Sequence, residues 1–235
     1  ELGLGKRLDI EKHIRPFMNG RDFLQRTRDL CVLDLFGLSE DSIRTQFPEI
    51  YQHILLHVKP ERDQNPRVLR RDKWWLFGEN VIIHRNGVRN LPRFIATVET
   101  PKHRIFQFLP SEILADNSLV CIASDDAFFL GVLSSQIHLF WTTANAGSLG
   151  AYKGAVRYFK SVCFDPFPFP DASEAHKTTL RALGEELDAT RKRVLAEHPD
   201  LTLTGLYNVL EKLKSSDALT PEDEDVKHRG LVLIL

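Results

Sequence analysis

Three prolines alternate with phenylalanines in Asp165-Pro166-Phe167-Pro168-Phe169-Pro170, and no other stretch limits the possible folds as much. Each proline fixes its own φ and removes a backbone donor. Each also pushes the residue before it towards an extended conformation. Neither a helix nor a central strand can run through such a segment, so it divides the chain. Just before it stands Lys153-Gly154-Ala155-Val156-Arg157-Tyr158-Phe159, a basic, aromatic, glycine-containing run. Side chains of this kind can enter a DNA groove, because Arg bonds bidentately to guanine and Lys reaches a base edge or a phosphate. An edge strand followed by a linker is the plainer reading of the same residues, and both readings stand at this point.

On either side of the divide the hydrophobic spacing differs. Residues 8–30 read as irregular, with Asn19-Gly20 as a turn signal. Cys31 to Phe36 reads as a strand ending at Gly37. Ser39 can cap a helix that opens with Glu40 and Asp41 and carries Ile43, Phe47, Ile50, Ile54 and Val58, with Pro48 interrupting it. Strands are expected at 92–98, 103–109, 118–123 and 156–164. Ser124 is expected to cap a core helix with Leu130, Leu133, Ile137, Phe140 and Trp141 on one face, ending near Gly147. After the prolines, Leu180, Leu183, Leu187 and Val194 form a helical stripe, Thr204 opens a second helix, and Thr220-Pro221-Glu222-Asp223 starts a third. The expected fold class is α+β. A linker and helical lead-in over 1–90 precedes a mixed α/β domain over 91–170, and a small helical region follows over 171–235. The chain starts without Met and ends in Leu231-Val232-Leu233-Ile234-Leu235, so we read it as part of something longer, with that last region truncated.

The net charge of −1 points to no partner, but its distribution is uneven. Residues 1–107 hold 19 Lys and Arg against 14 Asp and Glu; residues 171–235 hold 9 against 13. A basic N-terminal half can present a face to phosphates. Cys31, Cys121 and Cys163 lie far apart and form no CxxC pair, which fits a reducing cytoplasm and argues against a disulfide framework or a cysteine-rich zinc site. No apolar run is long enough to span a bilayer.

Catalytic patterns are missing. There is no P-loop, H-E-x-x-H or G-x-S-x-G, and the third glycine of a dinucleotide loop starting at Gly3 would fall at Leu8. His53 and His57 sit at i, i+4, but without a third ligand nearby they read as helix surface. Asp165-Pro166-Phe167 is similar to the catalytic loop of amino-methyltransferases, with Phe167 where a second proline is required. Pro199-Asp200 with Glu211-Lys212-Leu213 is similar to a metal-dependent nuclease centre, with Leu213 where its lysine belongs. We reject both, and expect no chemistry from these residues themselves.

Several stretches, in order, resemble one family, the MmeI-like enzymes. Ile14-Arg15-Pro16-Phe17-Met18-Asn19-Gly20-Arg21-Asp22, Val58 to Asn65 and Trp74-Trp75-Leu76-Phe77-Gly78 resemble the segment that follows the methyltransferase core. Leu91 to Thr97, Lys102-His103-Arg104, Gly131-Val132-Leu133-Ser134-Ser135 and the Phe167-Pro168-Phe169-Pro170 signature resemble the target-recognition domain, and Leu201 to Asn208 the helical C-terminal region. The family comprises single-chain type II restriction–modification enzymes. Their chains join a nuclease, an adenine-N6 methyltransferase using S-adenosylmethionine, and a recognition domain serving both. The resemblance implies sequence-specific recognition of double-stranded DNA. It places catalysis in the rest of the parent chain, whose methyltransferase domain is then a partner. No cofactor is implied for these residues; S-adenosylmethionine, and Mg2+ if a nuclease is present, belong to the parent.

The resemblance also implies base contacts at Lys102 and His103, at Asn117 and Ser118, and at Lys153, Ala155 and Arg157. Alternate residues of an extended loop face the same way, which suits the last three. Arg157 suits guanine, Asn117 suits adenine, and Ala155 can touch a thymine methyl. Phosphate contacts are expected at Arg104, Lys73, Arg71 and Lys160. The plainer readings are that Asn117 is a turn residue after Asp116, that Arg62, Arg67, Arg70, Arg71 and Lys73 form a solvated helix face, and that Trp74 and Trp75 are core. A protein-interaction or subunit-docking domain without base readout is the alternative function.

Overall fold

A computed structural model describes residues 8–78, 82–146 and 156–231. In chain order the elements are α1 (Leu8–Glu11), β1 (Ile14–Met18), α2 (Gly20–Leu24), β2 (Cys31–Leu33), α3 (Glu40–Gln46), α4 (Pro48–His57), α5 (Lys59–Asp63), α6 (Val68–Asp72) and α7 (Ile82–Val88). Then come β3 (Arg93–Val98), β4 (Gln107–Pro110), β5 (Leu114–Ala115), β6 (Leu119–Ile122), α8 (Ala127–Leu133), α9 (Gln136–Asn145), a π-helical turn (Lys160–Phe164), α10 (Glu174–Glu197), α11 (Leu203–Ser215) and α12 (Pro221–Arg229). The class is α+β. The chain forms two compact units: residues 1–17 with 29–86, and residues 18–28 with 87–235.

The first unit is mainly helical. The Ser39 hydroxyl caps α3 by accepting from the Ser42 amide. Pro48 stands at the first position of α4, where its missing N–H costs nothing, so the proline divides α3 from α4 without disrupting either. Ile43, Phe47, Ile50, Ile54 and Trp74 build the core with Ile10 and Leu35. Residues 14–16 pair antiparallel with 31–33 where an irregular segment was expected. Asp34 is nearly buried there and holds two cations, Arg85 at 2.6 Å and Arg15 at 3.3 Å. Burial opposes its charge, but the two guanidiniums outweigh burial and leave its carboxyl below the usual range.

The second unit is built on an antiparallel sheet in the order β4-β3-β6. β3 is central and almost wholly buried, as its run Phe94-Ile95-Ala96-Thr97-Val98 demands. β4 is an edge strand, and α10 closes that edge with polar side chains. Asp188 Oδ1 accepts from the Phe108 amide at 2.9 Å, Lys192 Nζ donates to the Phe108 carbonyl at 2.8 Å, and Arg191 donates to the Phe106 carbonyl at 3.0 Å. Asp188 and Lys192 also pair with each other at 2.6 Å. An edge strand otherwise presents unpaired donors and acceptors to any passing strand. On the other side α10 lies against α8 with Gly131 and Gly184 at the crossing. A Cβ at Gly131 would stand 2.9 Å from the Leu180 carbonyl oxygen, and one at Gly184 would collide with the Ala127 carbonyl. Residues 171–235 therefore share one compact unit with the sheet.

Three further expected elements differ. The helix through Leu130 and Trp141 is two helices, because Ser135 caps a new one by accepting from the His138 amide. That break rotates the face: His138 and Thr142 are buried, while Ile137 is 74% and Phe140 71% exposed. The expected strand 156–164 is a single bridge at Val156 followed by a π-helical turn. Tyr158 and Cys163, one π repeat apart, are its buried anchors. The stripe on α10 also shifts: Leu183 is exposed, and the buried face is Gly184, Asp188, Arg191 and Val194.

Candidate nucleic-acid interface

Three segments converge where β3 ends. The Glu99 amide donates to the Ser118 carbonyl at 2.8 Å, and the Glu99 carbonyl accepts from the Tyr158 amide at 2.7 Å. One residue thus ties the 99–104 loop to the 116–118 turn and to Tyr158, next to Arg157. Arg104 locks the junction. Its guanidinium donates to the Val156 carbonyl at 2.7 Å, to the Glu99 carbonyl at 3.4 Å, to the Val98 carbonyl and to the Thr97 hydroxyl, and it stacks over Tyr158. Burial pushes this arginine down to about 10. A guanidinium held by backbone carbonyls is a strut, and Arg104, expected at phosphates, has its donors committed inside the protein.

Tyr158, the neighbour of Arg157, is buried. Its hydroxyl meets His138 Nε2 at 3.0 Å, amid Phe106 and Phe167. Phe167 and Phe169 of the proline-rich segment pack with Phe128, Phe129 and Trp141, so the signature is an aromatic plug that holds the segment before it. Burial, reinforced by the Arg104 charge, keeps His138 neutral by lowering it to about 4.

The expected readers fall as follows. Arg157 is part-exposed; it donates from Nε to Glu99 Oε1 at 2.8 Å and stacks on Phe159. Lys102 is exposed, donates to Asn208 Oδ1 at 2.9 Å and pairs with Glu211 at 2.7 Å. His103 Nε2 meets the same Asn208 oxygen at 2.9 Å. Asn117 is an exposed turn residue. The Ser118 hydroxyl accepts from the Gly20 amide at 2.7 Å and donates to Asp116, so it fastens the 18–28 segment to the sheet. Lys153 and Ala155 lie outside the described residues. Lys160 is exposed and pairs with Asp165 at 2.8 Å. In the first unit, Lys73 is exposed just after α6, and Arg71 donates to the Asn65 carbonyl at 2.6 Å. Trp74 is core, and Trp75 donates to the Leu38 carbonyl at 3.0 Å.

Glu99, Asn208 and Glu211 were not foreseen, and nothing local marks them. Each is an ordinary polar residue whose importance comes from a partner up to about a hundred positions away. The residues of the rejected nuclease-like centre have structural duties instead. Asp200 pairs with Arg229 at 2.8 Å, and Glu211 pairs with Lys102, which holds the Glu211 carboxyl below its usual range. Among the described residues, no group of three or more His, Cys, Asp or Glu side chains could hold a metal ion. None of the described helices is long and apolar enough to cross a membrane.

Residues 4–171 match the family model for the MmeI target recognition domain, and the chain belongs to that family. It is 32% identical over 99 residues to DNA methyltransferase A of Bacillus subtilis (strain 168), across 42% of this chain and 10% of that protein. Its fold is similar to the Type IIL restriction-modification enzyme MmeI, solved in complex with DNA: TM-score 0.68, 18% identity, 98% of this chain and 29% of that one. The chain therefore spans only a minor part of either relative.

Proposed function

We propose that this chain is the sequence-specific recognition module for double-stranded DNA of a site-specific adenine-N6 methyltransferase of the type II restriction–modification kind. The observation that carries this reading is the grouping at the end of β3. There Lys102, His103, Asn117 and Arg157 stand on loops braced from beneath by Arg104 and Tyr158. The solved relative with a similar fold was bound to DNA, which supports the same partner here. Residues 91–170 are the recognition core, 1–90 lead into it, and 171–235 brace it. Arg157 reads guanine; Lys102, His103, Asn117, Lys153 and Ala155 address base edges, and Ser118 holds their turn. Lys73, Arg71 and Lys160 meet phosphates. The methyl donor S-adenosylmethionine, and Mg2+ where a nuclease is present, belong to other domains of the parent, whose methyltransferase domain supplies the facing wall of the DNA cleft. The three free cysteines suit the cytoplasm.

The test is Arg157→Ala in the natural chain that carries these residues, with methylated adenines mapped across a genome. Loss of one bidentate contact lowers discrimination at one base pair by about 1–3 kcal/mol, so related sites become modified. An unchanged set of methylated sites defeats the assignment.

A further inference from the structure

Asn208 lies beyond the residues that match the family model, yet it touches two of the proposed readers at once. A lysine ammonium has three donors and no acceptor. The side-chain atom of Asn208 that faces Lys102 at 2.9 Å must therefore be its oxygen, not its nitrogen. That settles the orientation of the amide. The same oxygen faces His103 Nε2 at 2.9 Å, and an amide oxygen can only accept. In the neutral ring the proton is then on Nε2, and Nδ1 is left as an acceptor. Glu211 holds Lys102 from the other side at 2.7 Å and keeps its ammonium on Asn208. Lys102 uses two of its three donors in this arrangement and keeps one. Both Lys102 and His103 line an open cleft of about 750 Å³, so a partner can reach them.

We propose that Asn208, backed by Glu211, is a specificity-determining positioning residue that holds His103 in its Nε2–H form and so makes Nδ1 a hydrogen-bond acceptor towards DNA. This inference rests on the recognition function proposed above. An acceptor at that point selects a base with an exocyclic amine on its major-groove edge, adenine or cytosine. Guanine and thymine present only acceptors there and leave Nδ1 unpaired. α11 thus takes part in reading without touching the bases itself. Asn208→Ala removes the shared acceptor and lets the ring exchange its proton between the two nitrogens. Asn208→Asp keeps an oxygen there, but its negative charge favours a second proton on the ring, which turns Nδ1 from an acceptor into a donor.

Nitrogen-15 spectra of the histidine rings test the relay without DNA. Where the unaltered ring is neutral it is the Nε2–H form alone; Asn208→Ala shows a mixture of the two neutral forms, and Asn208→Asp adds the doubly protonated form. Selection of duplexes from a random pool, with the natural chain that carries residues 1–235, tests the consequence. Asn208→Ala loses about tenfold in preference for an amine-bearing base at one position, and Asn208→Asp does not recover it. An unaltered protein whose His103 is not Nε2–H overturns the inference before any variant is made. So does a ring form that Asn208→Ala leaves unchanged. If the unaltered chain selects a sequence and Asn208→Ala selects the same one as stringently, recognition stands and the role of Asn208 falls. If the unaltered chain selects no sequence, the recognition function itself fails and this inference with it.

Discussion

The covered edge of β4 and the loops beyond the end of β3 use the same residue types for opposite ends. At the edge, Asp188, Arg191 and Lys192 meet backbone amides and carbonyls, with Asp188 and Arg191 almost fully buried. At the loops, Lys102 and Arg157 meet carboxylates in partly exposed pairs. An exposed ion pair contributes about 0–1 kcal/mol, so it can be exchanged for a phosphate or a base at small cost. A buried charge left without its partner costs about 3–5 kcal/mol. Arg191 at the edge is therefore a fixed part, as is the buried Asp188, whereas the cations at the loops can exchange partners at small cost. Arg104 shows that location alone does not decide this. It sits among the loops, yet its donors go to carbonyls and it belongs with the fixed set.

The sharpest way to break this contrast is Asp188→Ala. It strands the Phe108 amide, while Lys192 keeps the Phe108 carbonyl, and should lower unfolding stability by about 1–3 kcal/mol in chemical denaturation. Base preference of the folded fraction should stay unchanged; a loss below about 1 kcal/mol would remove the edge from the fixed set.

Acid tests the support beneath the loops. His138 is neutral when folded, with its value lowered from 6.5 to about 4. The unfolded chain takes up that proton first, so stability is full above about 6.5 and falls as the pH drops towards 4. The loss is about 3 kcal/mol in all. Denaturation midpoints across that window should follow this slope, and His138→Phe should flatten it whatever it does to absolute stability.

Arg157→Ala should leave the melting temperature almost unchanged while relaxing one base pair, the reverse of Asp188→Ala. Smallest of all, Lys73→Ala should weaken binding evenly on every sequence and reduce the salt-dependence slope by about 1. A sequence-dependent loss there would make Lys73 a reader.

What the sequence made legible follows from the range of each signal. Caps at Ser39 and Thr220 act within one helical turn, and both appear with the acceptor roles expected of them. The buried run of β3 is local and was equally clear. The apolar stripe through Ile137 and Phe140 misled because a single serine, Ser135, restarts the helix and rotates its face. The π-helical turn was hidden because no residue type favours a five-residue period. Asp188 and Arg191 read as surface charges within an amphipathic helix. Their burial is dictated by a strand edge about eighty residues earlier. The loop residues 102–104, 117–118 and 157 could be named from sequence, but their division into struts and exposed side chains depends on which carbonyls lie nearby.

The sealing of β4 by α10 sets a rule for engineering. A swap of specificity that transplants only the family-matched stretch, ending at residue 171, would set the strand against a recipient's helix, without Asp188, Arg191 and Lys192. The donor and acceptor of Phe108 would then be offered to the nearest extended peptide, and the hybrid would be prone to self-association. Transplants should include residues 174–197 as part of the same cassette.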